Sequence, residues 1–346
     1  MKRSMFAISL GAASLALPVL SRRAEAADVV IVGTSRSSSD VPFFIGEKMG
    51  FFAAEGITLK LEPFDSAAKM VAPLGVGQLD VAAGAPSAGL YNAVTQGIDI
   101  KIVADKGSMP KGYGYMALLV RADLIKSGKF KSYKDLKGLK VAEPAQGTST
   151  SSSLSEALKG TGVGYGDVNH VYLGFPQHVP AFESGSIDAS LTTEPSATLA
   201  VRSGAAVRFA GGDTFYPNQQ LAVLLYGGSF IAKRRDVATK FMVAYIKSVR
   251  FYNEALNNGH LTGKNGNAVL DILTEYTPIK DRKIYEEAVP QGNDPDGRLN
   301  LASLKTDLAF FKAHGLVTGN VTAESVVDGS FVDAAIKQIG TYHKGK

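Results

Sequence analysis

Cysteine is absent from all 346 residues. That excludes a disulfide framework, a thiolate metal centre, a thiol nucleophile and lipid attachment at a processed N-terminal cysteine. Histidine is scarce too. The five, His170, His178, His260, His314 and His343, show neither His-x-x-His nor His-x-x-x-His spacing, so neither a metal nor a cofactor is expected. Long apolar runs are also lacking. The uncharged run near the N-terminus, residues 4–20, is broken by Gly11 and Pro18 and falls short of the ~20 residues that span a bilayer.

That stretch follows Lys2 and Arg3 and precedes Ala24-Glu25-Ala26, the order of regions in a secretory signal peptide. We expect residues 1–26 to be removed, Ala27 to begin the mature protein, and the protein to reside in the periplasm. The formal charge of +5 then falls to +2, with 33 basic and 31 acidic residues left. A nucleic-acid partner would call for a basic patch interleaved with aromatics. The densest basic run has Lys126, Lys129, Lys131, Lys134, Lys137 and Lys140 spread among Gly128, Ser132 and Gly138, the composition of a solvated surface, so no nucleic acid is expected.

What is present is an ordinary globular composition, 45% hydrophobic and 20% charged, in a chain long enough for two domains. A chain of this length hides roughly three quarters of its unfolded surface, so core burial alone can hold it together. From Asp28 the pattern alternates. Residues 29–32 form a β-branched run suited to a strand covered on both faces. Asp40 is placed to cap a helix with Pro42 near its start, ended by Gly50. Ile57, Leu59 and Leu61 alternate with polar residues as a second strand, residues 66–74 follow as a helix, and 79–83 and 98–104 read as further strands flanking another helix. This order predicts a mostly parallel sheet with right-handed crossovers.

A second copy begins near Met116, with strands expected at 116–120, 139–142, 168–173, 187–191 and 207–210 and a helix over 148–158. Another strand follows at 221–226. After Asp236 the chain reads as helical, with Phe241, Ile246, Val249 and Tyr252, and later Leu301, Leu304, Leu308 and Phe311, at helical spacing. We therefore expect an α/β fold of two lobes, 27–115 plus 221–346 and 116–220. Two hinge crossings, near 113–118 and 219–226, would join them beside a ligand cleft.

Enzyme motifs dissolve on inspection. Ser66-Ala67-Ala68-Lys69 has the Ser-x-x-Lys spacing of acylases but lacks their companion elements, and Ser66 reads as a helix cap. Gly84-Ala85-Pro86-Ser87-Ala88-Gly89 misses the nucleophile-elbow pattern by one residue. Gly162-Val163-Gly164-Tyr165-Gly166 has no strand before it to make a dinucleotide site. Asn293-Asp294-Pro295-Asp296-Gly297 lacks the closing glutamate of a calcium loop and reads as a turn leading to a cap at Asn300.

What recurs is small hydroxyl residues at the mouths of helices: Ser35 to Ser39, Gly84 to Ser87, Gln146 to Thr150, and Thr192 to Glu194. In parallel α/β sheets such loops lie at the carboxyl ends of strands, where helix N-termini favour anions. Helix capping explains about one such residue per loop, and the run Thr148 to Ser153 exceeds that. Arg36 lies among these loops as their one arginine, while Phe43 and Tyr216, near the loops, read either as cover for an apolar part of a ligand or as core packing.

Residues 41–52, Glu55-Gly56-Ile57, Gly77-Gln78-Leu79-Asp80, Asp135-Leu136-Lys137-Gly138, Gly185-Ser186-Ile187-Asp188, Glu194-Pro195 and Val327-Asp328-Gly329-Ser330-Phe331 carry a resemblance. The mature chain resembles the solute-binding proteins of nitrate, sulfonate and taurine ABC transporters, which share a domain with thiamine-pyrimidine-binding proteins. The resemblance implies a type II periplasmic-binding-protein fold and a small-molecule solute, with an ABC permease and ATPase as partners and no catalysis; a monomer is expected. It places ligand contacts on Ser37, Ser39, Ala85, Ser87, Gly147, Thr148, Ser149, Thr193 and Glu194. The ligand class expected is a small organic anion or zwitterion such as a sulfonate or carboxylate. The same fold also serves thiamine- and menaquinone-pathway enzymes and ligand sensors. The enzyme of thiamine-pyrimidine synthesis carries a cysteine-rich motif, which this chain lacks.

Overall fold

The structure is a computed structural model describing residues 27–35 and 37–344. The expected leader and Arg36 lie outside the described residues. Two five-stranded sheets organise the chain, and both mix parallel with antiparallel pairs.

The first sheet has the order β2-β1-β3-β10-β4, from β1 (Asp28–Thr34), β2 (Ile57–Pro63), β3 (Val81–Gly84), β4 (Ile100–Ser108) and β10 (Gln220–Gly227). β1 pairs in parallel with β2 and β3, as the alternation of strand and helix predicts. β3 and β4 do not pair with each other. β10 lies between them, antiparallel to both, with Leu224 opposite Ala83 on one side and Ala104 on the other. Its apolar run is unbroken because both faces are covered: Leu224 and Tyr226 pack under the helix Arg235–Asn253, and Val223 and Leu225 pack towards the helix Leu301–Ala313. Each such side chain contributes roughly 1.5–3 kcal/mol by leaving water.

The second sheet has the order β7-β6-β8-β5-β9, from β5 (Met116–Arg121), β6 (Lys140–Glu143), β7 (Asn169–Tyr172), β8 (Ala189–Thr193) and β9 (Ala206–Gly211). β6 runs parallel to β7 and β8, and β5 antiparallel to β8 and β9. All its strands come from residues 116–211, and the chain passes between the sheets twice, after β4 and before β10.

Asp105 ties these passages together. Its Oδ1 accepts from Gly107 N at 2.9 Å and from Gln220 Nε2 at 2.5 Å, and its Oδ2 accepts from Asp294 N at 2.6 Å. Burial pushes its carboxyl up to about 7, against the lowering effect of these donors.

Some local expectations change. Residues 66–74 form a 3-10 turn, Ala67–Met70, followed by a short helix, Val71–Gly75, rather than one helix. Asp40 does not cap the helix Val41–Lys48; its carboxylate takes the Ser37 N–H at 3.2 Å and pairs with Lys106 at 2.7 Å. The six lysines between 126 and 140 are all exposed. Gly46 is where that first helix meets the helix Arg235–Asn253: a Cβ there would lie 2.6 Å from Ser248 Oγ.

Candidate functional site: a hydroxyl-lined cavity between the two sheets

The strand ends of both sheets converge on one cavity of about 30 Å³. From the first sheet come Ser35, Ser37 and Ser39 after β1, Ser66 and Ala67 after β2, and Gly84 and Ala85 at the end of β3. From the second come Tyr115 before β5, Pro144, Thr148 and Thr150 after β6, Phe175 after β7, and Thr193 ending β8. Leu221 and Ala222 of β10 complete the wall. This is the placement expected at the carboxyl ends of parallel strands.

Eight hydroxyls line the space, and among the described lining residues no side chain carries a charge. Ser66 Oγ and Thr193 Oγ1 are buried and have no hydrogen-bond partner. A buried polar atom without a partner costs about 1–3 kcal/mol, and two of them on one small cavity make it the candidate binding site. Tyr115 does not titrate in any ordinary range, since burial raises its hydroxyl well above its usual value.

Five of the expected contact residues, Ser37, Ser39, Ala85, Thr148 and Thr193, line this cavity. Of the others, Arg36 lies outside the described residues and the rest sit elsewhere. Phe43 is fully buried against Phe241 and Tyr245 in the core of the first sheet. Tyr216 points to the helix Leu301–Ala313, where its hydroxyl donates to Asp307 Oδ1 at 2.9 Å. Ser87 caps the helix Ala88–Thr95 by accepting from Leu90 N. Glu194 is held by Arg208 at 2.6 Å, and its other oxygen accepts from Thr198 N at 2.9 Å, which stabilises the start of its own helix. The Lys69 ammonium turns outward to Asp65 at 2.6 Å, away from buried Ser66.

Gly147 and Ser149 join the two halves instead of facing the cavity. Ala88 N donates to the Gly147 carbonyl at 2.7 Å, and Ser149 N donates to the Pro86 carbonyl at 3.0 Å, making a bridge of Ser87 with Thr148. A third stitch runs from Ser38 N to the Glu194 carbonyl at 2.9 Å. The dense hydroxyl run from 148 to 153 has a packing explanation as well. Its helix, Ser149–Leu158, lies against the return passage, where Ser149 Oγ donates to the Leu221 carbonyl at 2.8 Å and Ser153 Oγ lies 2.6 Å from Gln219 Oε1.

The sequence reasoning missed Ser66 as a lining residue, together with Tyr115, Thr150, Phe175 and the fully buried Lys106 behind the wall. Asp105-Lys106 was the available signal for Lys106: two adjacent charges directly after the apolar Ile102-Val103-Ala104. Of the histidines, His178 is neutral and structural. Its Nε2 donates to the Leu173 carbonyl, its Nδ1 accepts from Thr192, and burial pushes it down to about 4. No group of three His, Asp or Glu among the described residues is placed to hold a metal ion.

The sequence profile of the NMT1-like family matches residues 23–262. The chain belongs to the NMT1-like family. A search of curated protein sequences finds no match. Solved structures give the fold of this NMT1-like chain. The periplasmic nitrate-binding protein NrtA from Synechocystis PCC 6803 is similar at a TM-score of 0.76 and 12% identity, covering 91% of this chain and 89% of that one. The ligand-binding component of an ABC-type import system from Staphylococcus aureus gives 0.72 and 17%, over 89% and 99%. The alkanesulfonate-binding protein SsuA from Xanthomonas axonopodis pv. citri, bound to MOPS, gives 0.66 and 17%, over 87% and 98%. An enzyme shares the fold too: the desulfurization enzyme DSZB gives 0.62 and 14%, over 90% and 99%. The NMT1-like chain therefore has the periplasmic-binding-protein fold expected from its sequence.

Proposed function

We propose that this protein is the exported solute-binding component of an ABC importer, capturing a small organic anion or zwitterion and presenting it to a membrane permease and its ATPase. The carrying observation is the cavity between the two sheets, with its eight hydroxyls and the unpartnered Ser66 and Thr193. In this reading residues 27–115 with 221–346 form one lobe, residues 116–220 the other, and the two passages between the sheets act as hinges. The leader 1–26 is cleaved before Ala27 and the mature chain works in the periplasm as a monomer; no described helix is long and apolar enough to cross a membrane. Ser37, Ser39, Ala85, Thr148 and Thr193 form the contact surface in this reading.

Hydrogen bonds from hydroxyls to an ionised group contribute about 1.5–3 kcal/mol each, so several together support micromolar binding, about −8 kcal/mol, after the cost of association. The test is a thermal-shift panel of sulfonates, carboxylates, nitrate, amino acids, polyamines and pyrimidines. A solute at 100 times its dissociation constant adds about 2.7 kcal/mol, a visible rise in melting temperature. Stabilisation by polyamines alone would sink the anion reading.

The likeness to DSZB favours an enzyme as the second reading. Against it, the cavity wall holds no charged side chain among its described residues, and burial raises its Tyr115 hydroxyl well above the usual value. Turnover of a sulfinate or sulfonate hit, followed by mass spectrometry, decides between the two.

A further inference from the structure

We propose that Lys106, which does not itself line the cavity, selects for oxyanions by fixing the direction of the hydroxyls that do; this rests on the solute-binding reading above. Lys106 lies on β4 and is fully buried. Its Nζ stands 2.7 Å from Asp40 Oδ1 and donates to Ser39 Oγ at 2.6 Å. Ser39 Oγ is in turn 2.6 Å from Ser37 Oγ.

An ammonium group has donors and no acceptor, and a serine hydroxyl has a single proton. Ser39 therefore accepts from Lys106, and its own proton is left to pass on. If it goes to Ser37, the Ser37 proton points into the cavity. Tyr115 is a second wall hydroxyl on the same side, close to Ser39 beside Gly107. If the Ser39 proton goes there instead, Ser37 donates back to Ser39 and the Tyr115 proton faces the cavity. Ser37 and Tyr115 are both wall residues, so either arrangement ends in one O–H donor aimed at the solute. Without Lys106 the wall hydroxyls are free to turn inward and present lone pairs.

The Asp40 carboxylate balances the ammonium, so the pair adds no net charge. Discrimination then comes from donor direction: a group that only accepts, such as a sulfonate or carboxylate oxygen, fits the wall, and one that must donate does not. The charge pair is buried and weakly screened, so this preference changes little with salt.

The test compares an anion with its neutral counterpart of the same shape. Methanesulfonate is paired with methanesulfonamide and acetate with acetamide, by calorimetry on the mature protein. Lys106→Met alone leaves the Asp40 carboxylate buried without its ammonium, which threatens folding, so the working variant is Lys106→Met with Asp40→Asn, checked by its melting curve. We expect the wild-type preference for the anion to fall at least tenfold, equivalent to 1.4 kcal/mol, in the double variant. A general loosening of the fold would weaken both members of a pair alike and leave their ratio unmoved. A well-folded double variant with the wild-type ratio overturns the role of Lys106 and leaves the solute reading standing. Failure of the wild type to bind either anion overturns the solute reading itself. If the double variant does not fold, nuclear magnetic resonance of wild-type protein carrying ¹⁵N-lysine decides: a protected Lys106 ammonium with a cross-peak to a slowly exchanging serine hydroxyl supports the chain of donors, and its absence overturns it.

Discussion

Ser66 and Thr193 are the residues at which binding and stability pull in opposite directions. Each hydroxyl is buried without a partner and faces the cavity, so each weakens the empty protein and strengthens the occupied one. Ser66→Ala and Thr193→Val are each expected to lower solute affinity about tenfold, or 1.4 kcal/mol, while leaving the ligand-free melting temperature unchanged or slightly higher. Ser87→Ala should behave the other way. It loses the cap on Leu90 N, costing about 1 kcal/mol of stability, and leaves affinity unchanged. Calorimetry and melting curves on the three variants check both statements. At this scale the sequence was only partly legible. Hydroxyls at helix mouths were visible as a class, but whether one faces the cavity, like Thr148, or a backbone N–H, like Ser87, depends on the surrounding fold. Phe43 shows the same limit, since an aromatic beside a binding loop and one in the core look alike in sequence.

Among the elements, the helix Leu301–Ala313 carries the clearest pH dependence. It buries Asp307 beneath Tyr216 and Gln219, and burial raises the carboxyl to about 7. The unfolded chain titrates near 4, so the native state holds this proton more tightly. Its contribution to stability is complete below about pH 4 and is lost as the pH rises through about 7. Asp307→Asn imitates the protonated form. It should stabilise the protein at pH 8 by roughly 1–3 kcal/mol, less than the ~4 of a full three-unit shift because the amide needs partners of its own, and change little at pH 4.5. Equal effects at the two pH values, in denaturant titrations, would contradict this assignment. The helical tail and most strands were readable from periodicity, because each buries a regular stripe or both faces. β10 was legible as a strand but not as the antiparallel member between β3 and β4, since that position depends on pairing across more than a hundred residues. The serine run at 148–153 misled for a related reason: its density serves close packing on Gln219 and Leu221 as well as the cavity.

For the whole molecule, two sheets are joined by two passages and by the stitches at 86–88 with 147–149, and in the proposed reading the halves are hinged lobes. We expect the radius of gyration from small-angle scattering to fall when solute saturates the protein, as the hinges close. Gly147 has a φ of +66° and a Cβ there would stand 3.0 Å from the Cβ of Ala88, so Gly147→Val should strain the stitch, weaken binding several-fold and leave the saturated protein more expanded than wild type. The most direct test of the central claim is a crystal structure of the mature protein with the best anion from the thermal-shift panel. The account predicts its charged oxygens between the sheets, within about 3 Å of the hydroxyls of Ser37, Ser66 and Thr193. An anion bound elsewhere, with this cavity still empty, would contradict it.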